Sequence, residues 1–220
     1  MAYIDFVTKI HTKTKRDYLE RVVQHDKASC ATVAKRFDKE YWDGAREFGY
    51  GGFKYDGRWQ TVAQDLTKHY GLKKGMKVLD VGCGKGYLLF DLKQAVAGLE
   101  CFGLDISQYA IDNAKEEIKP YLQQGLAQNL PHDSKSFDLV ISINTLHNLY
   151  IYDLKKALTE IQRVSKSSSY IVVESYRSEV ERANLLNWQL TCECFFTPKE
   201  WEWLFKEFGY AGDYSFIYFE

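Results

Sequence analysis

Residues 77–92 read K-V-L-D-V-G-C-G-K-G-Y-L-L-F-D-L, and the change of period inside them decides the fold. The first five residues make a short apolar run of the kind carried by a strand buried on both faces. Glycines then fall at 82, 84 and 86, and from Tyr87 the apolar residues resume at helical steps. The stretch predicts a strand, a tight loop and a helix N-terminus in succession. Glycine removes the side chain where a backbone turns sharply or lets a ligand come close, and the first turn of a helix offers unpaired N–H groups. A polar ligand is expected on that loop.

Downstream, strands and helices alternate. Residues 100–105 predict a second strand, and Ser107 caps a helix through Ala110, Ile111, Ala114 and Ile118 that breaks at Pro120. A weak third strand is expected over 121–127 and a fourth over 137–143, F-D-L-V-I-S-I. Asp153 is placed as the cap of an amphipathic helix with apolar residues at 154, 157, 158, 161 and 164, followed by a fifth strand at 170–174. Thr197, Pro198 and Glu200 read as N-cap, N1 and N3 of a last helix with a capping box; Gly209 ends it, and 213–219 make a final strand. Such alternation predicts an α/β fold, a Rossmann-like doubly wound and mostly parallel sheet.

Upstream, residues 2–37 carry helical periodicity with many charges, with Asp26 as an N-cap, and predict two or three helices that form either a packing layer or a lid. Residues 41–59 interleave five glycines with seven aromatic residues, too much glycine for a long helix or a central strand. Large rings gain from burial, so this irregular segment is either an aromatic plug or a substrate wall. Helical spacing returns at Trp59, Val62, Ala63, Leu66 and Tyr70, with Gly71 as the C-cap. The expected organisation is a cap segment over 1–57 and a core over 58–220, folding as one unit.

With 220 residues the chain is long enough for one large α/β domain. A formal charge of −1 gives no global basic field, which argues against a nucleic-acid partner. The start lacks the layout of a secretory signal and no apolar run reaches the length of a membrane span, so a cytoplasmic protein is expected. Cysteines at 30, 83, 101, 192 and 194 form no C-x-x-C pair, so neither a disulfide framework nor a metal site is expected.

Open α/β sheets bind ligands at the carboxyl ends of their strands, where the strand order reverses. Asp105 lies 19 residues beyond Gly86, the separation of a carboxylate that accepts from ribose hydroxyls, so an adenosine-type ligand is expected. The loop spacing is G-x-G-x-G rather than the dinucleotide G-x-G-x-x-G, and Asp80 sits inside the preceding strand. V-L-D-V-G-C-G-K-G at 78–86 resembles motif I of class I S-adenosylmethionine-dependent methyltransferases. G-L-D-I-S at 103–107 is similar to the family's ribose-binding motif, and L-P-H-D-S-K-S-F-D-L-V-I-S at 130–142 to its L-P-F-x-D-x-S-F-D-L-V motif.

The resemblance covers about 71–220 and implies S-adenosylmethionine as methyl donor, with S-adenosylhomocysteine as the product. It implies that Gly82, Cys83, Gly84 and Gly86 form the cradle, with Asp80 near the donor's ammonium. Asp105 would hold the ribose, Ile106 would face adenine, and the Ala127 N–H would contact the adenine edge. Where the family often has an acid before that alanine, this chain has Leu126, and Gln128 is the candidate substitute. The family's sheet ends in a hairpin, whereas this chain has room for one strand after the last helix; a seventh strand is absent unless 190–196 takes an edge.

Methyl transfer needs alignment of a nucleophile and, for some acceptors, removal of a proton. The catalytic candidates are Asn144, near the methyl by the family pattern, and His147 as base. Substrate-contact candidates are Tyr50, Tyr55, Arg58, Tyr150, Glu174, Arg177 and Trp188. Arginines suit a phosphate-like or carboxylate acceptor, whereas rings alone would suit an amine. The leading expectation is transfer to an oxygen of a small anionic or sugar metabolite, with a likeness to small methyltransferases of surface-polysaccharide and methyl phosphoramidate pathways. The alternatives are a small-amine N-methyltransferase and a non-catalytic cofactor-binding regulatory protein.

Overall fold

The computed structural model describes residues 1–12 and 16–220. Before the sheet come α1 (Thr8–His11), α2 (Tyr18–Gln24), α3 (Lys27–Ala34) and α4 (Lys39–Asp43), then a 3-10 turn at Arg46–Phe48 and α5 (Gln60–Tyr70). The helical region expected over 2–37 includes 13–15, which lie outside the described residues. Asp26 caps α3 by accepting from Ser29 N, and Gly71 closes α5 in the left-handed conformation.

The alternating part is β1 (Lys77–Val81), α6 (Tyr87–Ala95), β2 (Glu100–Asp105), α7 (Gln108–Asp112), β3 (Leu122–Gln124), β4 (Phe137–Ile143), α8 (Ile151–Val164), β5 (Ser165–Glu174), α9 (Glu179–Trp188), α10 (Pro198–Glu207) and β6 (Asp213–Ile217). The strands lie in the order β3-β2-β1-β4-β5-β6, and every neighbouring pair is parallel. Chain order reverses between β1 and β4, which opens the crevice at their carboxyl ends.

Successive strand residues feed opposite faces. Val78, Leu139, Ile141 and Val172 join the layer with α5, α6 and the N-terminal Phe6, Val7 and Ile10. Leu79, Val140, Ile171 and Val173 join the layer with Leu158 and Ile161 of α8 and Trp201 and Phe205 of α10. At the far edge, Ile4 N donates to Tyr214 O at 2.9 Å and Tyr214 N to Ala2 O at 3.0 Å, so the N-terminus pairs with β6. The cap region is thereby stitched to the sheet through both backbone and core.

The structure corrects several boundaries. The helix capped by Ser107 stops at Asp112, because Asn113 ends it and its side-chain amide donates to Tyr109 O. Ala114 and Ile118 are still buried, in a turn; their spacing reported burial and not helix. Asp153 sits in the first turn of α8 rather than at its cap, where the helix dipole favours a carboxylate equally well. Helix α9 was not expected; its signal is Ser178, whose side chain accepts from Glu181 N. Residues 190–196 form no strand. They cross above the sheet, with Glu193 N and Cys194 N donating to His147 O, while β6 pairs directly with β5.

Candidate active site at the carboxyl ends of the strands

The loop after β1 turns back through Gly82, Gly84 and Gly86 at φ of 82°, 54° and 68°. A Cβ on Gly82 would lie 2.0 Å from Thr145 Oγ1, and one on Gly84 2.7 Å from the ring of Trp42. Only glycine admits both the left-handed backbone and these approaches. Asp105, at the end of β2, accepts from Gly84 N at 2.7 Å and from Ser107 N at 2.8 Å. Burial raises its carboxyl while those N–H groups pull it back.

Asp80 is buried in β1, two residues before Gly82, and its Oδ1 has no hydrogen-bond partner among the described residues. Burial, then the nearby Asp105 charge, push its carboxyl up to about 8. Asn144 follows β4 at φ 57°, a left-handed position for a non-glycine residue, and its Oδ1 is likewise buried without a partner among the described residues. Strain and unpaired acceptors of this kind cluster at functional sites.

Three adjoining cavities open here. One of about 170 Å³ is lined by Asp80, Gly82, Cys83, Gly84, Trp42 and Phe53. A second, about 200 Å³, is lined by Asp105, Ile106, Leu126, Ala127, Gln128 and Thr145. The third, about 320 Å³, carries Arg16, Arg46, Lys54, Arg58, His147, Glu174 and Trp188. Tyr50 and Asn144 line all three. The first two cavities flank the glycine loop and β2; the third lies under the cap.

The aromatic segment is held over the loop by charge. Asp43 accepts two hydrogen bonds from Lys85 Nζ, at 2.8 and 2.7 Å, one from Tyr109 OH at 2.9 Å and one from Phe53 N at 3.0 Å. Lys85 Nζ also donates to Phe53 O, and Trp42 Nε1 donates to Ser107 Oγ at 2.9 Å. Trp42 and Tyr50 stack with ring centres 5.3 Å apart. Rings of the segment pack against one another and against the glycine loop, and Trp42, Tyr50 and Phe53 also line the cavities.

Glu174 ends β5 with its side chain buried. Gln189 Nε2 donates to its Oε1, and its own N–H lies 3.3 Å from His147 Nδ1. His147 Nε2 is 3.4 Å from Glu174 Oε2. Burial pushes the two groups toward neutrality, Glu174 up to about 8 and His147 down to about 3. His11, on the rim, is lowered to about 4 by burial and by Arg16. Arg16, Arg46, Lys54 and Arg58 line this cavity together with Glu174, and the Arg58 guanidinium donates through Nε and Nη2 to the Asp56 carboxylate. The guanidinium groups of Arg16 and Arg46 lie 5.5 and 5.0 Å from the centre of the Trp188 ring.

Most of the residues singled out in the sequence meet here, but four do not. Gly86 caps α6 and faces Ile118 and Leu122. The Tyr55 hydroxyl is spent on Asp91, and its ring packs on Tyr87 and Phe90. Tyr150 stacks on Tyr152 at the surface, and Arg177 pairs with Glu181 and Glu220 over the Tyr218 ring. Local partners satisfy all three of these side chains outside the cavities. Sequence reasoning missed Arg16, Trp42, Arg46 and Gln189; only the glycine-aromatic density pointed toward Trp42 and Arg46.

A family described as methyltransferase domain matches residues 72–209. Demethylmenaquinone methyltransferase of Lysinibacillus sphaericus is 34% identical over 122 residues, 53% of this chain and 51% of that protein. The tRNA (carboxymethyluridine(34)-5-O)-methyltransferase of Arabidopsis thaliana is 34% identical over 134 residues, 59% of this chain and 30% of that protein. The chain spans about half the length of the demethylmenaquinone methyltransferases it matches. Among solved structures, a chain in the complex between the Haloferax volcanii Trm112 methyltransferase activator and a methyltransferase superposes with a TM-score of 0.54 at 25% identity, covering 70% of this chain and 73% of that one.

Proposed function

Since the chain belongs to the methyltransferase domain family, we propose that it transfers a methyl group from S-adenosylmethionine to an oxygen of a small anionic or sugar metabolite. S-adenosylmethionine is the methyl donor of this family. When bound, it supplies an electrophilic methyl group on a sulfonium sulfur.

The residues present suit that donor. Asp80 offers a buried, unpartnered carboxylate oxygen for the ammonium, beside a glycine cradle that any Cβ would fill. Asp105 stands at the end of β2 for the ribose hydroxyls, with Ile106, Ala127 and Gln128 on the adenine side of the same cavity. Binding at Asp80 exchanges an uncompensated buried acid for an ion pair, so the amino-acid end is where this site gains most from occupancy.

The observation that carries the reading is the junction. Tyr50 and Asn144 border both donor cavities and the cationic third cavity, so donor and acceptor can meet there. Arg16, Arg46 and Lys54 favour a carboxylate or phosphate acceptor, while Arg58 is held by Asp56. A cage for an amine is disfavoured, because Arg16 and Arg46 already lie against the Trp188 ring. A relative acts on tRNA, but a formal charge of −1 and an acceptor cavity of small-molecule size favour a metabolite here.

Release of S-adenosylhomocysteine on addition of hydroxy acids, sugar acids or sugar phosphates tests turnover. Donor binding with no release for any of these classes would instead favour a non-catalytic binding protein.

A further inference from the structure

His147 stands where a base is expected, yet its ring is already committed. Nδ1 faces the Glu174 N–H at 3.3 Å and so acts as the acceptor, which puts the ring proton on Nε2, 3.4 Å from Glu174 Oε2. An imidazole whose lone pair is taken by a backbone amide has none left for a substrate. Glu174 is built the other way round. Gln189 Nε2 holds Oε1, Trp201 Nε1 donates to the backbone carbonyl at 3.0 Å, and Oε2 has no hydrogen-bond partner among the described residues. Glu174 lines the cationic cavity together with Arg16 and Arg46.

We propose that this cavity takes a small anion bearing a hydroxyl group, its charged end toward Arg16 and Arg46 and its hydroxyl on Oε2 of Glu174, with Glu174 the proton acceptor and His147 a positioning residue. This rests on the methyltransferase reading and adds the chemistry of the acceptor to it. The acceptor's O–H bond breaks, and the proton goes to Oε2, turning the carboxylate into a carboxylic acid. The oxygen pair forms the new O–CH₃ bond, while the pair of the broken C–S bond stays on sulfur and cancels its charge. The site suits this task because burial holds the Glu174 carboxyl near the working pH, where a base is both available and strong enough. The imidazole holds the Glu174 backbone through Nδ1 and, being neutral, adds no countercharge beside Oε2 that would make it a weaker base.

The test uses the full chain. S-adenosylhomocysteine is titrated first by calorimetry, and failure to bind would refute the donor reading and this proposal together. Into the loaded protein are then titrated small hydroxy carboxylates and hydroxy phosphate esters, each beside a counterpart lacking the hydroxyl; the two arms separate carboxylate from phosphate recognition. At least one hydroxy compound should bind tenfold or more tighter than its counterpart. With that compound, and S-adenosylmethionine as donor, Glu174→Gln should cut kcat by about 10²–10⁴-fold and abolish the rising limb of the pH profile, with S-adenosylhomocysteine affinity unchanged within about threefold. Glu174→Asp should keep the limb at a reduced rate. His147→Gln should displace the limb and cost about tenfold. If no member of either panel binds the loaded protein, if none shows a preference for the hydroxyl, or if the limb persists in Glu174→Gln and disappears in His147→Gln, the proposal is wrong.

Discussion

Asp80 holds a carboxyl where water does not reach, and burial raises it for that reason. Its proton is released near 3.8 when exposed and near 8 when folded. Between those values the unfolded chain has lost the proton and the folded chain has kept it, so stability falls as pH rises through the window and levels off above it. Asp80→Asn removes this dependence. Its melting temperature is expected to exceed that of the wild type at pH 9 by several degrees and to match it near pH 4, with donor affinity at least tenfold lower; equal differences at both pH values would contradict the assignment. Gly82→Ala tests the cradle at the same scale. At φ 82°, with Thr145 Oγ1 in the way, it should lose about 1–3 kcal/mol from backbone strain alone, measured by urea unfolding. The glycines and Asp105 were legible because their spacing is fixed by backbone geometry. Arg16 was not, since a charged residue some sixty positions before the loop carries no sign of where it will point.

Among the elements, the irregular aromatic segment departs furthest from expectation. Its glycine content correctly excluded a long helix, but the short α4 runs into its first three residues, capped by Asp38, whose side chain accepts from Glu40 N. What holds it down is Asp43, bound to Lys85 of the glycine loop and to Tyr109 of α7. Lys85 is buried, so removing its partner leaves an uncompensated charge. Asp43→Ala should therefore destabilise the protein by about 3–5 kcal/mol. That corresponds to a fall in melting temperature of roughly 10 °C at about 2–4 °C per kcal/mol. A change within 1 °C would show that the segment is anchored by its rings alone. The extents of α7 and α8 and the existence of α9 were less legible, because apolar spacing reports burial and a buried turn gives the same signal as a buried helix.

In the molecule as a whole, the alternation of strands and helices gave the parallel sheet directly, and with it the crevice between β1 and β4. The pairing of Ala2 and Tyr3 with β6 had no such signature, since backbone hydrogen bonds place little demand on side chains. Yet it sets the path of the N-terminal region, which brings His11 and Arg16 to the rim of the cavities. The donor half of the site was readable because it is local to one strand–loop–helix unit and the next strand. The acceptor half was not, because it is assembled from the N-terminal region, the ends of β4 and β5, and α9. Both parts meet at the site proposed for S-adenosylmethionine, which calorimetric titration of that compound into the wild type and into Asp105→Ala would probe. One molecule per chain should bind the wild type, and Asp105→Ala should weaken it at least about 30-fold, roughly 2 kcal/mol. No binding to the wild type, or the same affinity in both proteins, would contradict the account.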